Sequence, residues 1–226
     1  GGVTLGKQAS ELAGSDTTIT LDVVANTNEN PIAIQFVLDA TQSLFLSEDN
    51  KTYVENWADA LKFMADKNIY AGLTIFTTTA RTVMEPQLLT GDSQSDLANV
   101  ENDCAAFVLA SDHGTNVQAG IREGLNALSG LSTDTVAADK RYLVLITDGR
   151  ANFSRGGDPV EEALRAARRV AEAHIPAVVI DTERQFVSLG LAAQVAQVMG
   201  APCYRVEELR ARPLAQLVRG HSPAAG

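Results

Sequence analysis

The chain has 226 residues, 45% of them hydrophobic and 20% charged, with a formal net charge of −10 at neutral pH. That length buries a full core as one α/β domain, and that composition excludes disordered, collagen-like and small disulfide-scaffold classes. The acidic balance would repel a phosphate backbone, which argues against nucleic acid, and no apolar stretch approaches the ~18 residues of a membrane span.

Taken in chain order, Gly1–Ser15 shows no basic start followed by an apolar block, so no signal peptide is expected there. In Thr17–Val24 the apolar residues Ile19, Leu21 and Val23 alternate, which predicts a half-buried strand. Ile32–Asp39 (IAIQFVLD) is nearly continuous in apolar residues, as a strand covered on both faces requires. Val54, Trp57, Leu61 and Met64 recur at helical spacing and predict an amphipathic helix over about Tyr53–Lys67. Ile69–Thr77 and Arg81–Met84 read as strands. Residues 86–112 are polar apart from Ala105–Leu109 and read as a long loop with a short helix.

Val117, Ile121, Leu125 and Leu128 form the next helical stripe, with Gly120 and Gly124 on a neighbouring face. Each glycine costs about 1 kcal/mol relative to Ala in a helix, so a close backbone approach to a sheet is the expected compensation. Arg141–Thr147 (RYLVLIT) and Pro176–Asp181 are core strands, Val160, Ala163, Leu164, Ala167 and Val170 mark a helix between them, and a helix over Leu189–Met199 follows. A short strand, Cys203–Val206, and a helix over Glu208–Val218 complete the chain. Strands alternating with helices predict an α/β fold with a Rossmann-like, doubly wound, mostly parallel central sheet and helices on both faces. Residues 15–219 read as one domain, with tails at 1–14 and 220–226.

Charge is uneven. Residues 1–139 hold 6 basic and 19 acidic side chains, and residues 140–226 hold 12 and 9, or −13 against +3. Eleven of the twelve later basic residues are Arg, whereas four of the six earlier ones are Lys. Arg165, Arg168 and Arg169 fall on one helix and read as a solvated face, with an acidic partner as the alternative. Cys104 and Cys203 belong to no CxxC or Cys/His cluster, so a zinc or redox motif has no support; two buried thiols are the ordinary reading. His174 and His221 have no partner pattern and read as solvated or capping.

Open α/β sheets bind ligands at the carboxyl edge of their strands. Three predicted loops there carry oxygen-bearing side chains: Asp39-Ala-Thr41-Gln-Ser43 after the first core strand, Gly114-Thr115-Asn116 before the glycine-bearing helix, and Asp148-Gly149 after RYLVLIT. Alternate residues leaving a strand end, such as Asp39, Thr41 and Ser43, can point into one crevice. Two carboxylates and three hydroxyls make a hard-oxygen set without nitrogen or sulfur, which Mg²⁺ or Mn²⁺ prefers while retaining several waters. With so few formal charges around it, such an ion stays electrophilic and accepts a partner's carboxylate. Asp112 and His113, just before the second loop, are candidates to support the ligands. Arg150 and Asn152, just after the third, are candidates to face a partner. No GxSxG, GxGxxG or GxxxxGK[ST] motif occurs, so an enzyme is not expected.

FVLDATQSL, DHGTNVQAGI and LVLITDG together resemble the von Willebrand factor A domain with its metal-ion-dependent adhesion site. That family's pattern is Asp-x-Ser-x-Ser on loop one, Thr on loop two and Asp on loop three. The resemblance spans about Ile32 to Arg219 and implies that hydroxyls of Thr41 and Ser43, with Thr115, Asp39 and Asp148, hold the metal directly or through water. Two positions depart from it: Thr41 adds a methyl group where the family has Ser, and Gln42 stands where it has Gly, so weakened metal binding is expected. The finer likeness is divided. Residues 15–146 resemble A domains of Gram-positive surface and pilus-tip proteins, which implies a protein ligand at the cell exterior. Residues 141–219, with LVLITDGRANF and PAVVIDTE, resemble the carboxyl-terminal A domain of magnesium-chelatase D-type subunits. That second likeness implies, as alternatives, an accessory domain docking on a cytoplasmic AAA+ chelatase motor subunit, or a recombined or designed A-domain scaffold joined within RYLVLITDG.

Overall fold

The computed structural model describes residues 30–41, 68–90, 94–111, 114–182 and 190–205. The strand expected at Thr17–Val24, the helices expected at Tyr53–Lys67 and Glu208–Val218, both tails and His221 lie outside them. The described residues form strands β1 (Ile32–Asp39), β2 (Ile69–Phe76), β3 (Ala80–Leu88), β4 (Arg141–Thr147), β5 (Ala177–Asp181) and β6 (Cys203–Arg205). The helices are α1 (Gln94–Leu109), α2 (Val117–Gly130), α3 (Pro159–Glu172) and α4 (Leu191–Met199). The sheet order is β3-β2-β1-β4-β5-β6, with every neighbour parallel except β3, which runs antiparallel to β2. This is the mixed α/β, mostly parallel architecture expected.

The period-two rule of strands sorts the core onto two faces. Ile34, Phe36 and Leu38 of β1 pack with Ile69, Leu73, Ile75, Val144, Ile146, Val178 and Ile180 on one face, under Val100, Cys104 and Val108 of α1. Ala33 and Val37 lie on the other with Phe76, Leu143, Leu145 and Val179, covered by apolar residues of α2, α3 and α4. Asp39 continues the second series, so its side chain belongs to the face under those three helices. Cys104 is buried in the first core, whereas Cys203 packs half-buried against the second, placing the two sulfurs on opposite sides of the sheet.

The expectation of a long loop with a short helix over 86–112 is corrected: β3 runs on to Leu88 and α1 is a helix of 16 residues. Among its described side chains the buried stripe is Val100, Cys104 and Val108, one residue per turn, with Phe107 packed against it, and the polar run Glu101-Asn102-Asp103 inside the stripe dilutes the periodicity. An ion pair of 3.6 Å between Arg81 and Asp103 joins it to β3.

Helix α2 meets its expectation, including the reason for its glycines. A Cβ on Gly120 would lie 2.4 Å from Phe76 Cδ1, and one on Gly124 would lie 2.3 Å from Val37 Cγ2. The helix therefore rests its backbone directly on β1 and β2. Its first turn is capped by Asn116, whose Oδ1 accepts from Ala119 N at 3.0 Å. Its last turn is held by the buried Arg141, whose guanidinium donates to Leu128 O at 2.9 Å and to Val136 O at 2.9 and 3.2 Å. Asp158 caps α3 through Glu161 N at 2.9 Å, with Pro159 in the first turn. His174, exposed just past α3 with φ 54°, donates its N–H to Ala171 O and so ends that helix. Arg165, Arg168 and Arg169 are all exposed.

Candidate metal centre

Strand order reverses between β1 and β4: β1 leads to β2 on one side, while β4 leads through β5 to β6 on the other. The strands that follow β1 and β4 therefore lie on opposite sides, which makes the carboxyl ends of this pair the topological switch point of the sheet. Asp39, Thr41 and Asp148 stand there, all buried. The pairing register that matches Leu38 with Ile146 continues one step to set Asp39 beside Thr147, whose hydroxyl donates to Asp39 Oδ2 at 3.1 Å. Asp39 Oδ1 accepts from Thr41 N at 3.1 Å, and the Thr41 hydroxyl also hydrogen-bonds this carboxylate.

Three loops are fastened into a ring around that carboxylate. Ala40 N donates to Phe76 O at 2.8 Å, which ties loop one to the end of β2. Asn116 N donates to Thr77 O at 2.7 Å and its amide donates to Thr78 O at 3.2 Å, which ties loop two to the same turn. Thr115 N donates to Asn152 Oδ1 at 2.7 Å, while Asn152 N and Phe153 N donate back to Thr115 O at 3.2 Å, joining loop two to loop three. The Thr147–Asp39 bond closes the ring. Gly114 is needed where loop two passes between its neighbours, because a Cβ there would meet Thr78 Cγ2 at 2.7 Å and Phe153 Cβ at 2.9 Å.

The electrostatics follow from burial. Asp39 is fully buried, and loss of solvation together with the nearby charge of Asp148 pushes its pKa from 3.8 up to about 7. The hydrogen bonds from Thr41 and Thr147 act in the opposite direction and are outweighed. Asp148 accepts from Arg150 N at 3.1 Å through Oδ1, and its Oδ2 lies 3.6 Å from Arg150 Nε.

Of the residues singled out from sequence, Asp39, Thr41 and Asp148 meet at the switch point, and Thr115 is buried in the adjoining loop. Ser43, Asp112 and His113 lie outside the described residues. Arg150 faces outward but is engaged with Asp148. Asn152, expected to face a partner, uses its amide oxygen to hold Thr115, because the Thr115 N–H in the loop before α2 is buried and needs an acceptor. Thr147 escaped sequence reasoning; its signal was a hydroxyl directly before Asp148, level with Asp39 in a parallel pair. Asp181 escaped it too: buried at the end of β5 and paired in register with Thr147, it adds a carboxylate to the same edge.

The donor set fits a hard divalent cation. Among the described residues no group of three or more His, Cys, Asp and Glu side chains is placed to hold a metal. A cation here would therefore depend on two carboxylates, hydroxyls and water, the preference of Mg²⁺ or Mn²⁺. Two further hydroxyls, Thr77 Oγ1 just past β2 and Thr182 Oγ1 just past β5, are buried without a hydrogen-bond partner among the described residues.

Solved structures identify the fold as the von Willebrand factor A type. BatB from Bacteroides thetaiotaomicron aligns over 84% of this chain and 98% of its own, with a TM-score of 0.58 and 19% identity. The PilB minor pilin of Streptococcus sanguinis aligns over 87% of this chain and 64% of its own, with a TM-score of 0.57 and 15% identity. Proximal thread matrix protein 1 of the mussel byssus, solved with a zinc-occupied MIDAS motif, aligns over 84% of this chain and 47% of its own, with a TM-score of 0.52 and 16% identity. No protein-family profile matches the chain. Among curated sequences, uncharacterized protein Rv2850c of Mycobacterium tuberculosis is 38% identical over 109 residues, 47% of this chain. Uncharacterized protein MJ0910 of Methanocaldococcus jannaschii is 34% identical over 68 residues, 30% of this chain. These matches span 17% and 39% of the relatives' own lengths. No helix among the described residues is long and apolar enough to cross a membrane.

Proposed function

We propose that the chain is a non-enzymatic protein-interaction module that binds Mg²⁺ or Mn²⁺ at the β1/β4 switch point and captures a partner's carboxylate on the metal. The observation that carries this reading is the buried pair Asp39 and Asp148, brought together from two strands and bordered by hydroxyls. A dication would neutralise both carboxylates at once, and the small charge of the set would leave it Lewis acidity for a third. Thr41 and Thr115 would supply hydroxyl oxygens, and Thr147 would orient Asp39 from behind. The zinc-occupied MIDAS motif of the byssus protein, on the same fold, supports the assignment. The pilin neighbour supports a role in protein contact.

The test is calorimetric titration of the chain with Mg²⁺, Mn²⁺ and Ca²⁺, alongside thermal unfolding. Mg²⁺ or Mn²⁺ at a hundredfold excess over Kd should stabilise the fold by about 2.7 kcal/mol, and Asp148→Ala should abolish the response. Absence of both heat and stabilisation in the parent chain would remove the metal from the site.

A second reading, docking on an AAA+ motor subunit of chelatase type, is favoured by the exposed row Arg165, Arg168 and Arg169 on α3. Capture of such a motor without Mg²⁺, lost when these three arginines become Glu, would support it. Capture that requires Mg²⁺ and survives that change would support the metal-centred reading.

A further inference from the structure

We infer that Arg150 is the site's built-in competitor for the metal, a cation on the chain itself that holds Asp148 until a dication takes its place. This rests on the metal reading above and adds to it how the site is regulated. The geometry is local and constrained. Asp148 is nearly buried, its Oδ1 is committed to Arg150 N at 3.1 Å, and its Oδ2 meets Arg150 Nε at 3.6 Å. One residue thus engages both oxygens, by backbone and by side chain. The Arg150 side chain is 40% exposed against 11% for that of Asp148, so the ion pair reaches solvent mainly through the arginine.

An arginine is always charged and cannot yield its place by losing a proton. A dication entering beside Asp148 therefore meets a fixed positive charge and must displace it. Once displaced, the side chain stays tethered two residues away with no change of charge, at the rim where a partner's carboxylate would approach. Metal affinity is lowered and attraction for an acidic partner is raised by the same side chain. Asn152 and Phe153 anchor the following segment to Thr115, so only the side chain has to move.

The two effects of removing Arg150 have opposite signs, which separates competition from a merely structural role. In metal-free buffer, Arg150→Ala should lower Tm by about 1–3 °C, because a partly exposed ion pair is lost. Titrated with Mn²⁺ alone, the same variant should bind about three- to tenfold more tightly than the parent. The gain should shrink as salt is raised from about 20 mM to about 500 mM, since the repulsion is screened. Arg150→Lys, which keeps the charge, should stay near the parent affinity. Equal or weaker Mn²⁺ binding by Arg150→Ala, with the parent binding normally, overturns the competition and leaves the metal site standing. Failure of both proteins to bind Mn²⁺ removes the metal reading and this inference with it.

Discussion

The most informative perturbation is Asp39→Asn, because it removes a charge while preserving the shape and most hydrogen bonds of the crevice. The amide oxygen can still accept from Thr41 N, and the amide N–H can donate to the Thr147 hydroxyl in place of the bond that Oδ2 now accepts. In the parent chain, burial and Asp148 raise the Asp39 pKa from 3.8 to about 7. The folded state therefore holds a proton that the unfolded chain has already released. Stability from this group is fully present below pH 3.8 and is lost progressively as pH rises to about 7. At 1.36 kcal/mol for each unit, the metal-free protein gives up on the order of 4 kcal/mol across that window. Asp39→Asn carries no such penalty, so it should match or fall slightly below the parent at about pH 4 and exceed it by a few kcal/mol at about pH 8. Urea unfolding followed by circular dichroism, in chelator and at several pH values, measures the difference directly. Saturating Mg²⁺ should close the gap from the parent's side alone, because a cation stabilises the ionised Asp39 and finds no charge at Asn. A stability difference that stays level from acid to alkaline pH would refute the claim that Asp39 is the strained charge at this edge.

Other consequences follow from the packing. Asn152→Ala removes the 2.7 Å acceptor for Thr115 N, so it should cost about 1–2 kcal/mol of stability and weaken Mn²⁺ binding in calorimetry; an unchanged affinity would detach loop two from the metal. Gly124→Ala gains helix propensity but drives a methyl group into Val37, 2.3 Å away, so a net loss of about 1–2 kcal/mol in urea unfolding is expected. Arg141→Met strips the guanidinium donors from Leu128 O in the last turn of α2 and from Val136 O in the turn after it, and should cost about 2–4 kcal/mol without altering the metal's effect on Tm at matched stability.

Legibility in the sequence varied with how much of the signal was local. Strands β1 and β4 coincide with their expected limits because each is a nearly continuous apolar run, broken within β1 by Gln35, the mark of a strand covered on both faces. Helix α2 was readable because a four-residue stripe and a pair of glycines agreed on which faces were buried. Helix α1 was not, since its contact with the sheet rests on Val100, Cys104 and Val108, with Glu101-Asn102-Asp103 breaking the stripe at its start. At the site, Asp39, Thr41 and Asp148 were legible from spacing at strand ends. Thr147 and Asp181 were not, because their importance depends on register between strands distant in sequence. The role of Asn152 was hidden for a similar reason: its acceptor work is for a backbone N–H 37 residues earlier.

That dependence on register also explains how the two unlike halves of the chain build one edge of the sheet. Asp39 comes from the acidic half and Asp148 from the arginine-rich half, and they meet only because β1 and β4 pair from Ala33↔Arg141 to Leu38↔Ile146. A slip of one residue in that pairing would move Asp39 off the level of Thr147 and, by the period-two rule, turn a core strand's side chains to the wrong face. Gly124 opposes such a slip, since a Cβ there would meet Val37 of β1 at 2.3 Å and Leu143 of β4 at 3.7 Å, so α2 seats its backbone across both strands. The packing of a helix 20 Å or more in length (14 residues at about 1.5 Å each) thus fixes the alignment of two carboxylates at the far edge of the sheet. The first half supplies Asp39 and its seat under α2 but not Asp148, so a fragment ending before β4 should show no heat of Mn²⁺ binding in calorimetry.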